Sequence, residues 1–151
     1  MAKGKQATIA DAEICMKLFE LRREAEMRKG RNFVNFVFQP QSADDILKAI
    51  MVFTSQESAW IRMVFSFWEY AASLVLEGVV PPSLFFAWNG EMVFVYAKYK
   101  PFLEEMRKKM ENPEFLGKVE KAVNSVPEVK KNVEVIQKRL AKMAAAQGKS
   151  A

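Results

Sequence analysis

Histidine is absent from this chain of 151 residues, and cysteine occurs once. The first absence removes the commonest general base, the usual metal ligand and every Ser-His-Asp or Cys-His arrangement. It also removes the Glu-x-x-His motif of carboxylate-bridged di-iron bundles. The second excludes an intrachain disulfide. Cys15, beside Ile14 on an expected helix, reads as a small core residue, since no histidine can activate its thiol. Glycine is scarce as well: the six glycines are scattered, and none builds a phosphate cradle. Catalysis would fall to carboxylates, lysine or tyrosine alone, and the adjacent Glu104 and Glu105 cannot share one side of a helix. The expectation is a non-catalytic protein without a cofactor. The opening Met-Ala-Lys-Gly-Lys-Gln lacks the apolar core of a signal peptide, so a cytoplasmic location is expected.

What the chain has is apolar residues at helical spacing. Half of it is hydrophobic and 12% aromatic, enough for one domain with a sizeable core. From Trp60 to Leu76 the run is interrupted only by Arg62, Ser66, Glu69 and Ser73. Steps of four, three and four place these on one narrow stripe. A helix apolar on its other sides must be wrapped by neighbours. The fold class expected is therefore all-α, a single-domain bundle of six or seven helices around a central helix over 55–77. Arg62 and Glu69 would each cost about 3 kcal/mol at mid-bilayer, which argues against a transmembrane span. The domain is expected over 8–146, with a flexible tail at 1–7 and a frayed end at 147–151.

Boundary residues set the helices. Thr8 and Asp11 resemble a capping box opening a helix to about Lys29, with Ile14, Leu18, Leu21 and Ala25 on one face. The run Phe33–Phe38 fits its continuation better than a strand, ending before Pro40. Ser42 with Asp44 and Asp45 starts a helix through Phe53. Thr54 with Glu57 starts the central one. Gly78 is placed to end it in a left-handed conformation before Pro81-Pro82. Asn89-Gly90, between two aromatic and β-branched runs, is a hairpin signal. Against it, Met92, Val95, Tyr99, Phe102, Met106 and Met110 continue a helical stripe, so two helices broken at Asn89-Gly90 are favoured, with a kink near Pro101. Asn112-Pro113 supplies a cap and first-turn proline for a further helix. Val126, Val129, Val133, Ile136, Leu140 and Met143 form a narrow seam over 127–146, suited to packing on the bundle or on another chain.

From Ala43 to about Ala122 the chain resembles a family of small bacterial helical proteins of unknown function. The matching residues are Phe67-Trp68-Glu69, Leu74-Val75, Glu77-Gly78-Val79 and Tyr99-Lys100-Pro101-Phe102 ending at Arg107, with Phe38 to Asp45 upstream. The resemblance implies a helical domain, favours helices over the hairpin, and supplies no activity.

Three groups of residues are candidates for a site. Glu69, on the most apolar helix, is expected in a structural ion pair with Arg107, or alternatively Arg62. Trp60, Phe65, Trp68 and Phe94 could line an apolar ligand pocket, although core packing is the plainer reading. Lys131, Lys138 and Lys142 form a basic stripe that could give weak nucleic-acid or anionic-membrane binding, consistent with a formal charge of +5. Nine methionines and abundant aromatics suit an adaptable apolar surface. The leading expectation is a protein-interaction module with a protein partner or self-association.

Overall fold

The computed structural model describes residues 5–148. Among them are eight α-helices, one π-helix and no strand. The first helix is split where one was expected: α1 (Ile9–Arg23) and α2 (Ala25–Asn32) meet at Glu24, whose ψ of 143° is extended. The carboxylate of Glu24 accepts the Met27 N–H at 2.9 Å, so Glu24 is the N-cap of α2. A π-helix over Phe33–Val37 follows, closed by Phe38 N–H donating to the Phe33 carbonyl at 2.8 Å.

The other helices are α3 (Ala43–Met51), α4 (Gln56–Leu76), α5 (Pro82–Trp88), α6 (Gly90–Lys109), α7 (Gly117–Asn124) and α8 (Pro127–Gly148). Capping boxes Thr8/Asp11 and Ser42/Asp45 open α1 and α3 as their sequences indicate. The cap of α4 is Ser55 and not Thr54: its side chain accepts from Ser58 N–H at 3.0 Å. Gly78 has φ +69° just after α4. Asn89 separates α5 from α6, so the Asn-Gly pair breaks helices and turns no hairpin.

Two long helices carry the core. The α4 helix packs against α2, α3, α7 and the π-helix, and Ile61, Val64, Trp68, Ala71 and Ala72 on it are fully buried. At Gly30 α2 lies close to α4: a Cβ there would stand 3.4 Å from Trp60 Cβ and displace the flexible end of Met63. The α6 helix packs against α3, α7 and α8 through Tyr96, Tyr99, Leu103 and Met106. The seam of α8 folds back onto its own chain, burying Val133 and half-burying Val129 and Ile136. Pro101 lacks the N–H that would bond the Ala97 carbonyl, and Gln137 Nε2 of α8 donates to that oxygen at 3.3 Å. Of the tail expected at 1–7, residues 1–4 lie outside the described residues; Lys5 Nζ donates to the Gly78 and Val79 carbonyls at 3.3 and 3.4 Å. Of the frayed end expected at 147–151, residues 147 and 148 belong to α8, which continues to Gly148, and 149–151 lie outside the described residues.

Candidate functional site

The polar stripe of α4 becomes the floor of a groove. Arg62, Phe65, Ser66 and Glu69 line it together with Ile50 and Phe115, around a cavity of about 370 Å³. The groove thus brings together three residues singled out in the sequence, Arg62, Phe65 and Glu69. Its far wall is the turn between α6 and α7, where Asn112 Oδ1 accepts the Glu114 N–H at 3.2 Å. That local turn, and not a helix, follows Asn112-Pro113. The α7 helix starts only at Gly117, after Leu116 adopts a left-handed φ of 52°, and has no N-cap side chain of its own.

Glu69 supplies the missing cap from another helix. Its Oε1 accepts the Val119 N–H at 2.9 Å, in the first turn of α7. The ion pair expected with Arg107 or Arg62 does not form; among the described residues no cation lies within ion-pair distance of Glu69. Arg107 acts on the same turn from the other side, donating Nε to the Phe115 carbonyl at 3.0 Å and pairing with Glu120 at 3.1 Å. Tyr96 donates to Glu120 as well, and burial together with that carboxylate pushes its phenol up to about 12. Arg62 donates Nε to Ser58 Oγ at 3.3 Å and lies over the Phe53 ring. An orphaned helix start is a non-local demand, so the partner of Glu69 could not be read from spacing.

Because a side-chain cap contributes about 1 kcal/mol, Glu69→Ala should lower stability by about 1 to 2 kcal/mol in urea unfolding. Glu69→Gln keeps an acceptor oxygen and should cost less. Equal losses for both variants would count against the capping role.

The aromatic candidates do not share a pocket. Trp68 is wholly buried, Phe65 stacks edge-on with Tyr99 at 4.9 Å, and Trp60 donates to Glu26 at the surface. Phe94 sits elsewhere, 6.0 Å from Phe36 in a wider groove of about 480 Å³. Lys131, Lys138 and Lys142 are exposed on α8.

Beside the knuckle where α3 turns into α4, the groove meets an unusual surface. Met51, Val52 and Phe53 are consecutive and 60, 54 and 61% exposed. Runs of exposed apolar residues are rare unless they are used. The expected helix through Phe53 stops at Met51 because Ser55 N–H donates to the Val52 carbonyl at 2.8 Å, closing a turn. That turn aims three apolar side chains outward.

Sequence inspection missed a second polar cluster entirely. Arg31 clamps Glu91 through two Nε bonds of 2.8 and 2.9 Å and a third from Nη2, while Asn35 Nδ2 donates to the same carboxylate at 3.1 Å. Lys98 Nζ, 8% exposed on its residue, donates to the carbonyls of Val34, Asn35 and Phe38 at 2.8, 3.0 and 2.5 Å. Neither residue belongs to a motif: Lys98 serves carbonyls at the end of the π-helix, and Arg31 serves Glu91 and the Arg22 carbonyl. Among the described residues no group of acids or thiols is arranged to hold a metal, and no helix is long and apolar enough to cross a membrane.

Taken together, the geometry defines an all-helical domain with a side groove and an apolar knuckle. The chain belongs to the family described as Domain of unknown function (DUF4760), whose model matches residues 7–126. No curated protein and no solved structure matches it. The matched span covers α1 to α7, and α8 begins directly after it at Pro127.

Proposed function

We propose that this chain is a non-catalytic interaction module that pairs with a second copy of itself through the α3–α4 knuckle and the adjoining groove. The observation that carries the reading is the run Met51-Val52-Phe53, exposed on all three residues beside a cavity large enough to receive them. Ile50 and Arg62 join the two features: Ile50 lines the groove and precedes the knuckle, and Arg62 lines the groove and covers Phe53. A knuckle and a groove side by side on one surface are self-complementary under a two-fold axis, since each copy offers what the other receives.

Light scattering should therefore give twice the chain mass of 17.3 kDa at micromolar concentration. Val52→Asp and Phe53→Asp should each give a monomer, with circular dichroism unchanged because both side chains lie outside the core. A monomeric wild type would sink the proposal.

A further inference from the structure

We infer that the cleft between α1 and α5 is a binding site for a small amphipathic monocarboxylate, with its apolar tail along the cleft and its carboxylate on Arg22. The cleft holds about 290 Å³ and is walled by Met16, Phe19, Leu84 and Trp88, with Cys15 and Asn89 deeper in. Met16, Phe19 and Trp88 remain 59, 41 and 71% exposed, so the walls are apolar surface that the fold leaves uncovered. This is a different region from the knuckle. The knuckle precedes the first turn of α4, whereas Arg22 lies over the ring of Trp68, toward the other end of that helix, 5.7 Å from its centroid.

Arg22 gives the site its chemistry. Its Nη1 makes only long bonds to neutral oxygens, 3.3 Å to Asn89 Oδ1 and 3.5 Å to the Trp88 carbonyl. Its Nε is buried without a hydrogen-bond partner among the described residues. Burial lowers the pKa of the guanidinium, as does the nearby Arg31, while Glu91 attracts it from a distance. Glu91 is already engaged by Arg31, and that pair is neutral as a unit. A half-buried guanidinium therefore stands at an apolar cleft with no carboxylate paired to it among the described residues and with its Nε–H unpartnered. A carboxylate matches both, because its two oxygens accept in the plane of the guanidinium fork. The apolar walls select a hydrocarbon or aryl tail over a polar one.

The test is calorimetric titration of the whole chain with octanoate and with octanamide, which has the same tail and no charge. Octanoate should bind at one saturable site, and octanamide at least about tenfold more weakly, since a hydrogen-bonded charge contributes about 1.5 to 3 kcal/mol. Arg22→Gln should bring octanoate down to the octanamide level. Equal binding of the two ligands by the wild type, absence of saturation, or an Arg22→Gln variant that is folded and still prefers octanoate would each overturn the assignment. Phe53→Asp, which removes the proposed dimer contact, should bind octanoate as the wild type does, so the two proposals stand or fall separately.

Discussion

Lys98→Met should destabilise the protein by about 3 kcal/mol and lower Tm by about 10 °C. The reason lies in the π-helix. The π-helix ends at Val37, with Phe38 extended, so carbonyls at its end have no N–H further along the helix, and the Lys98 ammonium, with three protons, satisfies those of Val34, Asn35 and Phe38. Methionine fills similar volume but donates nothing. Val34 would retain the Tyr99 hydroxyl at 2.8 Å, whereas the Asn35 and Phe38 carbonyls would lose the donor reaching them from α6. Tyr99→Phe is the milder control, at about 1 kcal/mol, because Lys98 still serves Val34. A Lys98→Met variant within about 0.5 kcal/mol of wild type would mean the π-helix carbonyls find other partners.

The same lysine gives a pH signature. Burial pulls its pKa down to about 8, below the roughly 10.4 of an unfolded lysine, while the ammonium stays charged at neutral pH. Between these values the unfolded chain binds more protons than the folded one, so the Lys98 contribution to stability rises with pH across that window. Below about pH 8 both states are protonated and the burial cost is present in full. Wild-type stability should therefore gain on that of Lys98→Met from about pH 8 to 10. A constant difference would show that the ammonium is not desolvated.

What could be read from the sequence divides along a physical line. Local rules located most boundaries: the Thr8 and Ser42 caps, the left-handed Gly78, the break at Asn89 and the apolar length of α4 all depend on residues within a turn or two. Errors arose where a distant group decided. Glu24 breaks the first helix, and the Arg22 carbonyl freed there accepts Arg31 Nη1 at 2.9 Å. Glu69 was conspicuous as a carboxylate on an apolar helix, yet its partner is the backbone N–H of Val119, fifty residues away. No side-chain pattern announces a backbone amide in need of an acceptor. The aromatic pocket candidates are not brought together for another reason: large aromatics at helical spacing are what a core requires, so Trp68 is absorbed by it, while Phe65 and Phe94 line separate grooves. Arg22 and Lys98 escaped notice because an isolated cation in a helix reads as solvated until its burial is known.

Glu91→Gln should cost about 3 kcal/mol, the second large effect expected. The carboxylate stands in the first turn of α6, where an anion complements the helix dipole, and it receives Arg31 from α2 and Asn35 from the π-helix. Arg31 in turn reaches the last turn of α1 through the Arg22 carbonyl, so one guanidinium ties the end of α1 to the start of α6. Its side chain is 24% exposed and that of Glu91 15%, which places the pair between a surface bridge of about 1 kcal/mol and a fully buried one of about 3 to 5. The upper part of that range applies because two guanidinium N–H groups, one of them shared between both oxygens, and one amide converge on the carboxylate. Glutamine would turn one acceptor oxygen into a donor facing Arg31 and strand the cation. Arg31→Met should be similarly costly, since it leaves Glu91 with Asn35 alone. The decisive measurement is the double variant. Replacing both members with methionine removes the stranded charge, so its loss should fall well short of the sum of the single losses. Additive losses would mean that Arg31 and Glu91 stabilise α1 and α6 independently, and that the tie between the helices carries no energy of its own.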